Sequence, residues 1–374
     1  MHPLLKKRPV KQMQRILNPA ISKTYKALIA VILFLAVQAF AFAEESPVSD
    51  STSEHTEQAS EKFDPGKLVI GHISDAHEWH IFGSEEDPVS IPLPVIIYNK
   101  QKGFSFFSSG HFEHGKASFE GYKLEDGKII SEDGSSFYDL SITKNVFALF
   151  MVAAILLLVF ISVAKAYTRN KDKAPTGLQS AIEPIILFVR DDIAKAAIGE
   201  KHYARFMPYL LTIFFFIWVN NLLGLIPIFP GGANTTGNIA VPLVLASFTL
   251  VITLFNGNKN YWRHIFAMPG VPIYVLPIIT ILEVLGIFLK PFVLVVRLFA
   301  NILAGHIVLL VFFCLIFVAG SASTGAGLGT SVPAVAFTIF VNLLELLVGF
   351  LQAFVFTFLT AIYFGMALVE NEHH

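Results

Sequence analysis

Residues 272–319 run for nearly fifty positions with hardly a polar side chain. As a single helix at 1.5 Å per residue this segment would be about 70 Å long, roughly twice the hydrocarbon core of a bilayer. It accommodates two arrangements: two spans broken at Lys290-Pro291, or one helix lying steeply oblique in the membrane. The chain as a whole is 54% hydrophobic and only 15% charged, against about 25% charged in an ordinary soluble domain. The pattern therefore specifies an all-α polytopic membrane protein. Cys314 is the single cysteine, which excludes an intrachain disulfide and a thiolate metal cluster. The abundant phenylalanines read as lipid-facing and inter-helix filler.

Other spans follow from the same logic. Residues 145–164, "NVFALFMVAAILLLVFISVA", match one bilayer thickness, and the basic "KAYTRNKDK" behind them belongs in the cytoplasm. Residues 206–226 and 239–255 form the next two spans, joined by the tight extracytoplasmic turn "PIFPGGANTTGN". Lys259 and Arg263 return the chain to the cytoplasm. A final apolar helix is expected over 333–369, after the uncharged and flexible "GSASTGAGLGTS". Residues 177–203 are too charged to span. Their apolar positions, Ile182, Ile185, Ile186, Val189, Ile193, Ala196 and Ala197, recur at helical spacing and predict an amphipathic interfacial helix.

The N-terminal third has a different character. Residues 1–43 combine a basic start with an apolar core ending in Ala41-Phe42-Ala43. They read as a secretory signal peptide or, uncleaved, as an anchor helix; a signal of this kind on a membrane protein points to a bacterium. Residues 44–62 are an acidic, low-complexity linker. Residues 63–143 alternate short apolar runs with turn residues, "KLVIGHI", "SIPLPVIIYNK" and "SFYDLSI" among them. They predict a small β-rich extracytoplasmic region that leans on the membrane or on partners. Its histidines, His72, His77, His80, His111 and His114, have spacings that a zinc site could use, but read as surface or packing residues.

Ionisable residues inside spans are functional candidates. Here they are Glu283, Lys290, Arg297, His306 and Glu345, with the amides Asn301, Asn342 and Gln352 nearby. Glu283, Lys290 and Arg297 repeat every seven residues and keep to one helical face, shared by Asn301. His306 lies about half a turn away, so the segment has two polar faces. On the last helix Thr338, Asn342, Glu345, Gln352 and Tyr363 form a matching stripe, with Gly349 leaving room between them. Polar groups on two neighbouring helices can satisfy one another and support proton hopping. Asn220-Asn221 is suited to hydrogen bonding across helices. Lys290 could simply snorkel, and Glu283 could form a static pair with it.

"KPFVLVVRLFANILAGHIV" and "LLELLVGFLQAFVFTFLTAIYFGMAL", with "FFFIWVNNLLGLIP" and "ILEVLGIFLKP" before them, resemble the a subunit of the rotary F-type ATP synthase. The resemblance runs from about residue 187 to 368. It implies that residues 272–319 are one long oblique helix, packed with the last helix against the rotating c-subunit ring. It thus implies five spans, with the C-terminus in the cytoplasm of a bacterial inner membrane. It further implies that Arg297 faces the ring carboxylate, and that Asn301, Gln352 and Glu283 belong to two offset half-channels. His306 and Glu345 match the pair of the extracytoplasmic half-channel, in exchanged order along the chain. Gly224 stands where some members carry an acid. The implied partners are the c ring, the b-subunit peripheral stalk and the rest of the synthase. No cofactor, metal or nucleic acid is implied, and with no phosphate-binding loop the chain itself carries no ATP chemistry. A secondary proton-coupled transporter would use similar buried charges, but no internal repeat of spans is evident. A receptor acting through residues 64–143 would leave the intramembrane charges unexplained.

Overall fold

The structure is a computed structural model that describes residues 75–82, 89–125, 127–169, 174–226, 231–233, 235–268 and 270–368. The expected signal peptide and acidic linker lie outside the described residues, as do the run 67–73 with His72, and the last residues, 369–374.

The N-terminal domain is β-rich, as its alternating runs predict. Its strands are β1 (Glu78–Phe82), β2 (Val89–Pro92), β3 (Pro94–Asn99), β4 (Gly103–Ser108), β5 (Ser118–Phe119), β6 (Tyr122–Glu125), β7 (Lys128–Ser131) and β8 (Phe137–Asp139). They form a β1-β2 hairpin and two three-stranded antiparallel sheets, ordered β4-β3-β8 and β5-β6-β7. Alternation along β3 turns Val95 and Ile97 inward onto Phe107, Phe112, Tyr122, Ile129 and Phe137. That is a small core, and the domain adds a rigid junction with the first long helix, α1 (Lys144–Arg169). Asp75 accepts hydrogen bonds from the Thr143 hydroxyl at 2.8 Å and the Asn145 amide at 3.1 Å. It caps the helix from nearly seventy residues away, satisfying donors that the first turn leaves unpaired.

The amphipathic helix α2 (Leu178–Phe188) passes into a π-helical turn, Val189–Lys195, and ends in Ala196–Ile198. The π turn admits an extra residue and rotates everything after it. The inward positions become Ile186, Val189, Ile193, Ala194 and Ile198, whereas Ala196 is exposed and Ala197 half-buried. The expected 3.6-residue face through Ala196 and Ala197 is corrected accordingly.

Helix α3 (Tyr203–Gly224) is the most enclosed of the apolar helices, its aromatic run Phe214, Phe215 and Phe216 wholly buried. Helix α4 (Ala240–Asn256) and the short α5 (Lys259–Phe266) meet at a 103° bend. Two very long helices complete the bundle, α6 (Leu276–Ala322, 47 residues) and α7 (Thr324–Leu368, 45 residues). Four helices, α1, α3, α6 and α7, are each long and apolar enough to cross a membrane, and the bent α4–α5 pair qualifies as a fifth only jointly. The expectation of five simple spans is refined in that sense.

Helix α6 runs unbroken through Pro291, so the break at Lys290-Pro291 does not occur. The stretch expected to be a flexible loop, residues 320–331, is helical except at Ser323. Its small residues let α6 and α7 approach closely: a Cβ on Gly327 would lie 2.8 Å from the Gly320 Cα. Glycine and serine read as loop formers in water, but in an apolar setting an intact helix satisfies the backbone, and small residues serve packing. At the other end of α7 the approach to α2 is closer still, with Gly365 set against the Ala197 carbonyl.

Candidate functional site

The polar stripe on α7 turns inward. Thr338, Glu345, Gly349 and Gln352 are buried, with Asn342 and Tyr363 half-buried beside them. Glu345 is 6% exposed and faces α6, where its Oε1 lies 4.0 Å from His306 Nδ1. Gly305 makes this approach possible, since a Cβ there would stand 2.8 Å from the same carboxylate oxygen. The second oxygen, Oε2, is buried and accepts no hydrogen bond among the described residues. A carboxyl group and an imidazole at this separation, one hydrogen-bond contraction apart, can exchange a proton directly or through one water.

Arg297 and Asn301 occupy another face of α6. Both are exposed, flanked by Phe292, Val293 and Val296 on the apolar outside of the bundle. No ion pair to Arg297 occurs among the described residues. The two polar faces of α6 thus look in different directions, one into the bundle and one away from it.

Glu283 and Lys290 are half-buried and do not form the static pair considered from the sequence. The Lys290 ammonium instead lies 5.9 Å from the centre of the Tyr363 ring, within range of a cation–π contact. Lys290, Pro291 and Ile287 line a cleft with Thr249, Thr253, Tyr261 and Tyr363. Proline at 291 withdraws one backbone donor from α6 at the cleft wall. The structure therefore brings together His306 with Glu345 and Lys290 with Tyr363, and leaves Arg297 and Asn301 outward.

The asparagine pair on α3 binds the bundle together. Asn221 Nδ2 donates to the Gly349 carbonyl at 3.0 Å, bridging α3 to α7, and its Oδ1 accepts from Thr236 Oγ1 at 2.8 Å. Asn220 Oδ1 accepts from Thr235 Oγ1 at 2.7 Å. Sequence reasoning found the asparagines but missed Thr235 and Thr236. The signal was available in "ANTTGN", a paired hydroxyl motif in the turn that follows a paired amide. Gly305, which admits Glu345, was also missed.

Of the N-terminal histidines, His77 is built into the core, while His111 and His114 are exposed. His77 is buried between the Gly127 carbonyl, 3.0 Å from Nδ1, and Asp139 Oδ2, 2.9 Å from Nε2. His114 Nδ1 meets Glu78 Oε2 at 2.6 Å. Among the described residues no three His, Cys, Asp or Glu side chains converge as a metal site.

Two long antiparallel helices, with Arg297 on their outer face and an acid–imidazole pair between them, define a polytopic membrane protein that carries ionisable groups within its apolar bundle. Comparison with known proteins places it further. The ATP synthase A chain family matches residues 146–365, and a domain of unknown function matches residues 68–147. An ATP synthase subunit a 2 of Chlorobaculum tepidum is 38% identical over 366 residues, covering 95% of this chain and 94% of its own length. An ATP synthase subunit a of Anaeromyxobacter dehalogenans is 36% identical over 325 residues, covering 82% of this chain and 79% of its own length. An ATP synthase subunit a 2 of Chlorobium luteolum is 46% identical over 248 residues, covering 63% of this chain and 70% of its own length. The chain belongs to the ATP synthase A chain family, the membrane-embedded proton-channel stator subunit of F-type ATP synthase.

Proposed function

We propose that this chain provides two offset half-channels and the arginine that couple proton flow to rotation of a c-subunit ring. The reading is carried by the placement of Arg297. It lies exposed on the apolar outer face of α6, while the proton-exchanging pair His306–Glu345 lies inside the bundle. A guanidinium on a lipid-length apolar face is costly unless a partner meets it. The partner here is the ionised carboxylate of each passing c subunit.

The steps follow from charge. A proton enters from the extracytoplasmic side along His306 and Glu345 and is handed to a ring carboxylate. The neutral carboxyl rides round the ring through lipid. It releases its proton into the second half-channel; Glu283, Asn301 and Gln352 are assigned to the two half-channels, with the cleft at Lys290 and Tyr363 beside them. The deprotonated site then passes Arg297, whose fixed charge stabilises it and blocks a direct path between half-channels. Each charge crossing the membrane yields about 2.3 kcal/mol per 100 mV, which rotation carries to the catalytic head. At their length α6 and α7 must lie obliquely to keep their apolar surface in the bilayer. The N-terminal domain is assigned to the periplasm of a bacterial inner membrane and the C-terminus to the cytoplasm, with the b-subunit stalk holding the chain in place. The proposed domain division is a signal peptide over 1–43, a linker over 44–62, an extracytoplasmic domain over 63–143 and the membrane domain over 144–374.

The test is Arg297→Ala in the assembled complex in inverted vesicles. ATP-driven proton pumping should disappear, while passive proton leak after the head is stripped is kept or raised. Normal pumping in this variant would refute the reading.

A further inference from the structure

The N-terminal domain has no part in the mechanism above, yet besides its cap on α1 it packs a side chain against the α3–α4 connection. Trp79 on β1 is 3% exposed and forms a single buried cluster with Ala148 of α1 and Ala233 of the α3–α4 connection, with Ile91 and Phe147 packed around it. The Trp79 and Phe147 rings meet edge to face at 5.8 Å. The connection is held from the other side too. Thr235 and Thr236 bond to Asn220 and Asn221, and the Gly232 amide donates to the Leu223 carbonyl at 3.3 Å. At Gly231 a Cβ would press to 2.6 Å from that same carbonyl. Residues 231–233, 235 and 236 of the connection therefore lie against the end of α3, with Ala233 under the tryptophan.

Directly below is the proton-exchanging pair. At Gly224 a Cβ would lie 3.6 Å from the Ala233 carbonyl and 3.7 Å from His306 Nε2. Trp79 thus packs on Ala233, and Gly224 stands beside both the Ala233 carbonyl and His306 with room for one methyl between them, while His306 faces Glu345. The pair's own spacing, 4.0 Å, is just outside hydrogen-bond range, so a displacement of under an ångström decides whether the groups meet.

We propose that Trp79 is a positioning residue for the His306–Glu345 pair, and that the N-terminal domain acts as a clamp holding the α3–α4 connection over it. The inference rests on the assignment of that pair to a half-channel. Trp79 suits the task because a tryptophan buries a large rigid surface at little entropic cost. The capping of α1 by Asp75 holds the domain in register with the helix. The titratable groups facing the pair's end of the junction are His306 on α6 and Glu345 on α7, while Asp75, His77, Glu78 and Lys144 lie on the domain side around Trp79 and the start of α1. The end of α3, the connection and the start of α4 bring amides, hydroxyls and apolar groups.

The experiment uses the whole complex in vesicles and measures proton flux after removal of the head, with pH varied on the side of the N-terminal domain. Trp79→Ala should move the midpoint of the flux–pH curve by about one unit, a tenfold change in proton affinity, with b and c subunits still co-purifying. Trp79→Phe should restore the midpoint. Gly224→Val, which adds bulk between Ala233 and His306 without touching the domain, should also move it, and decides the matter if Trp79→Ala does not assemble. An unchanged midpoint in an assembled Trp79→Ala complex, or in Gly224→Val where Trp79→Ala does not assemble, overturns the clamp. If Arg297→Ala is still uncoupled in the same vesicles, the half-channel reading survives that loss. Normal pumping by Arg297→Ala removes the reading and the clamp together.

Discussion

His306 and Glu345, on antiparallel helices and thirty-nine positions apart in the chain, face each other with Nδ1 and Oε1 4.0 Å apart, over a glycine that leaves the carboxylate its space. The geometry makes Gly305 as consequential as the pair itself. In Gly305→Ala the new Cβ would meet Glu345 Oε1 at 2.8 Å and Cδ at 3.0 Å. The carboxylate is the flexible end of its side chain, so the side chain moves rather than the helix. Proton flux should therefore fall at least tenfold while the complex assembles normally. Flux through head-stripped vesicles, compared with subunit content, checks this, and wild-type flux would show that the separation is not limiting.

Asn221 is predicted to be a stability residue. Its amide joins α3 to α7 through the Gly349 carbonyl and to the loop through Thr236. Asn221→Ala leaves a buried hydroxyl and carbonyl without their partner, at a cost of about 1–3 kcal/mol. The thermal midpoint of the detergent-purified complex should drop. Thr236→Val, which loses only one bond, should lower it less. Equal effects would mean that the α3–α7 bridge contributes nothing.

Much of this was legible in the sequence because helical periodicity survives in membranes. The α7 stripe through Thr338, Glu345 and Gln352 turns inward, and the alternation in β3 buries Val95 and Ile97. What periodicity could not reveal was register between helices. Nothing in spacing alone sets His306 against Glu345; the family resemblance suggested the pair, and the helix crossing at Gly305 supplies its geometry. Two local readings failed for physical reasons. Residues 320–331 carry the composition of a soluble loop but form helix, because apolar surroundings reward internal hydrogen bonding. The π turn at Val189–Lys195 shifts the buried face of α2 by a residue, an insertion with no compositional signature.

Gly365 is predicted to tolerate no side chain. A Cβ there would overlap the carbonyl of Ala197, a backbone atom at the end of α2 that cannot swing aside as a side chain does. Gly365→Ala should force α7 away from α2 and destabilise the bundle by about 3 kcal/mol or more. Gly286→Ala, where a Cβ meets nothing within 4 Å, should be neutral. Thermal dissociation of the two complexes distinguishes them, and equal midpoints would contradict the close approach.

The buried pair His77–Asp139 gives the N-terminal domain a defined pH response. Burial opposes charge on His77. The hydrogen bond and attraction of Asp139, helped by the Gly127 carbonyl and Asp75, outweigh it and raise the imidazole above its ordinary value of 6.5. Burial likewise works against the Asp139 carboxylate, but His77 and Ser141 outweigh it and hold the group below its ordinary 3.8. A raised histidine contributes stability that is complete below 6.5 and is lost as pH climbs through its folded value. A lowered aspartate contributes stability that is present above 3.8 and is lost as pH falls through its folded value. The pair therefore stabilises the domain most between about pH 4 and 6.5, and less in the alkaline range. Hydrogen exchange at β3 and β8 should be slowest in that window and should accelerate above it once corrected for intrinsic pH dependence. His77→Gln keeps a polar group at the site without a titrating charge and should flatten the corrected profile. A profile of unchanged shape in His77→Gln would rule out the pair as its origin.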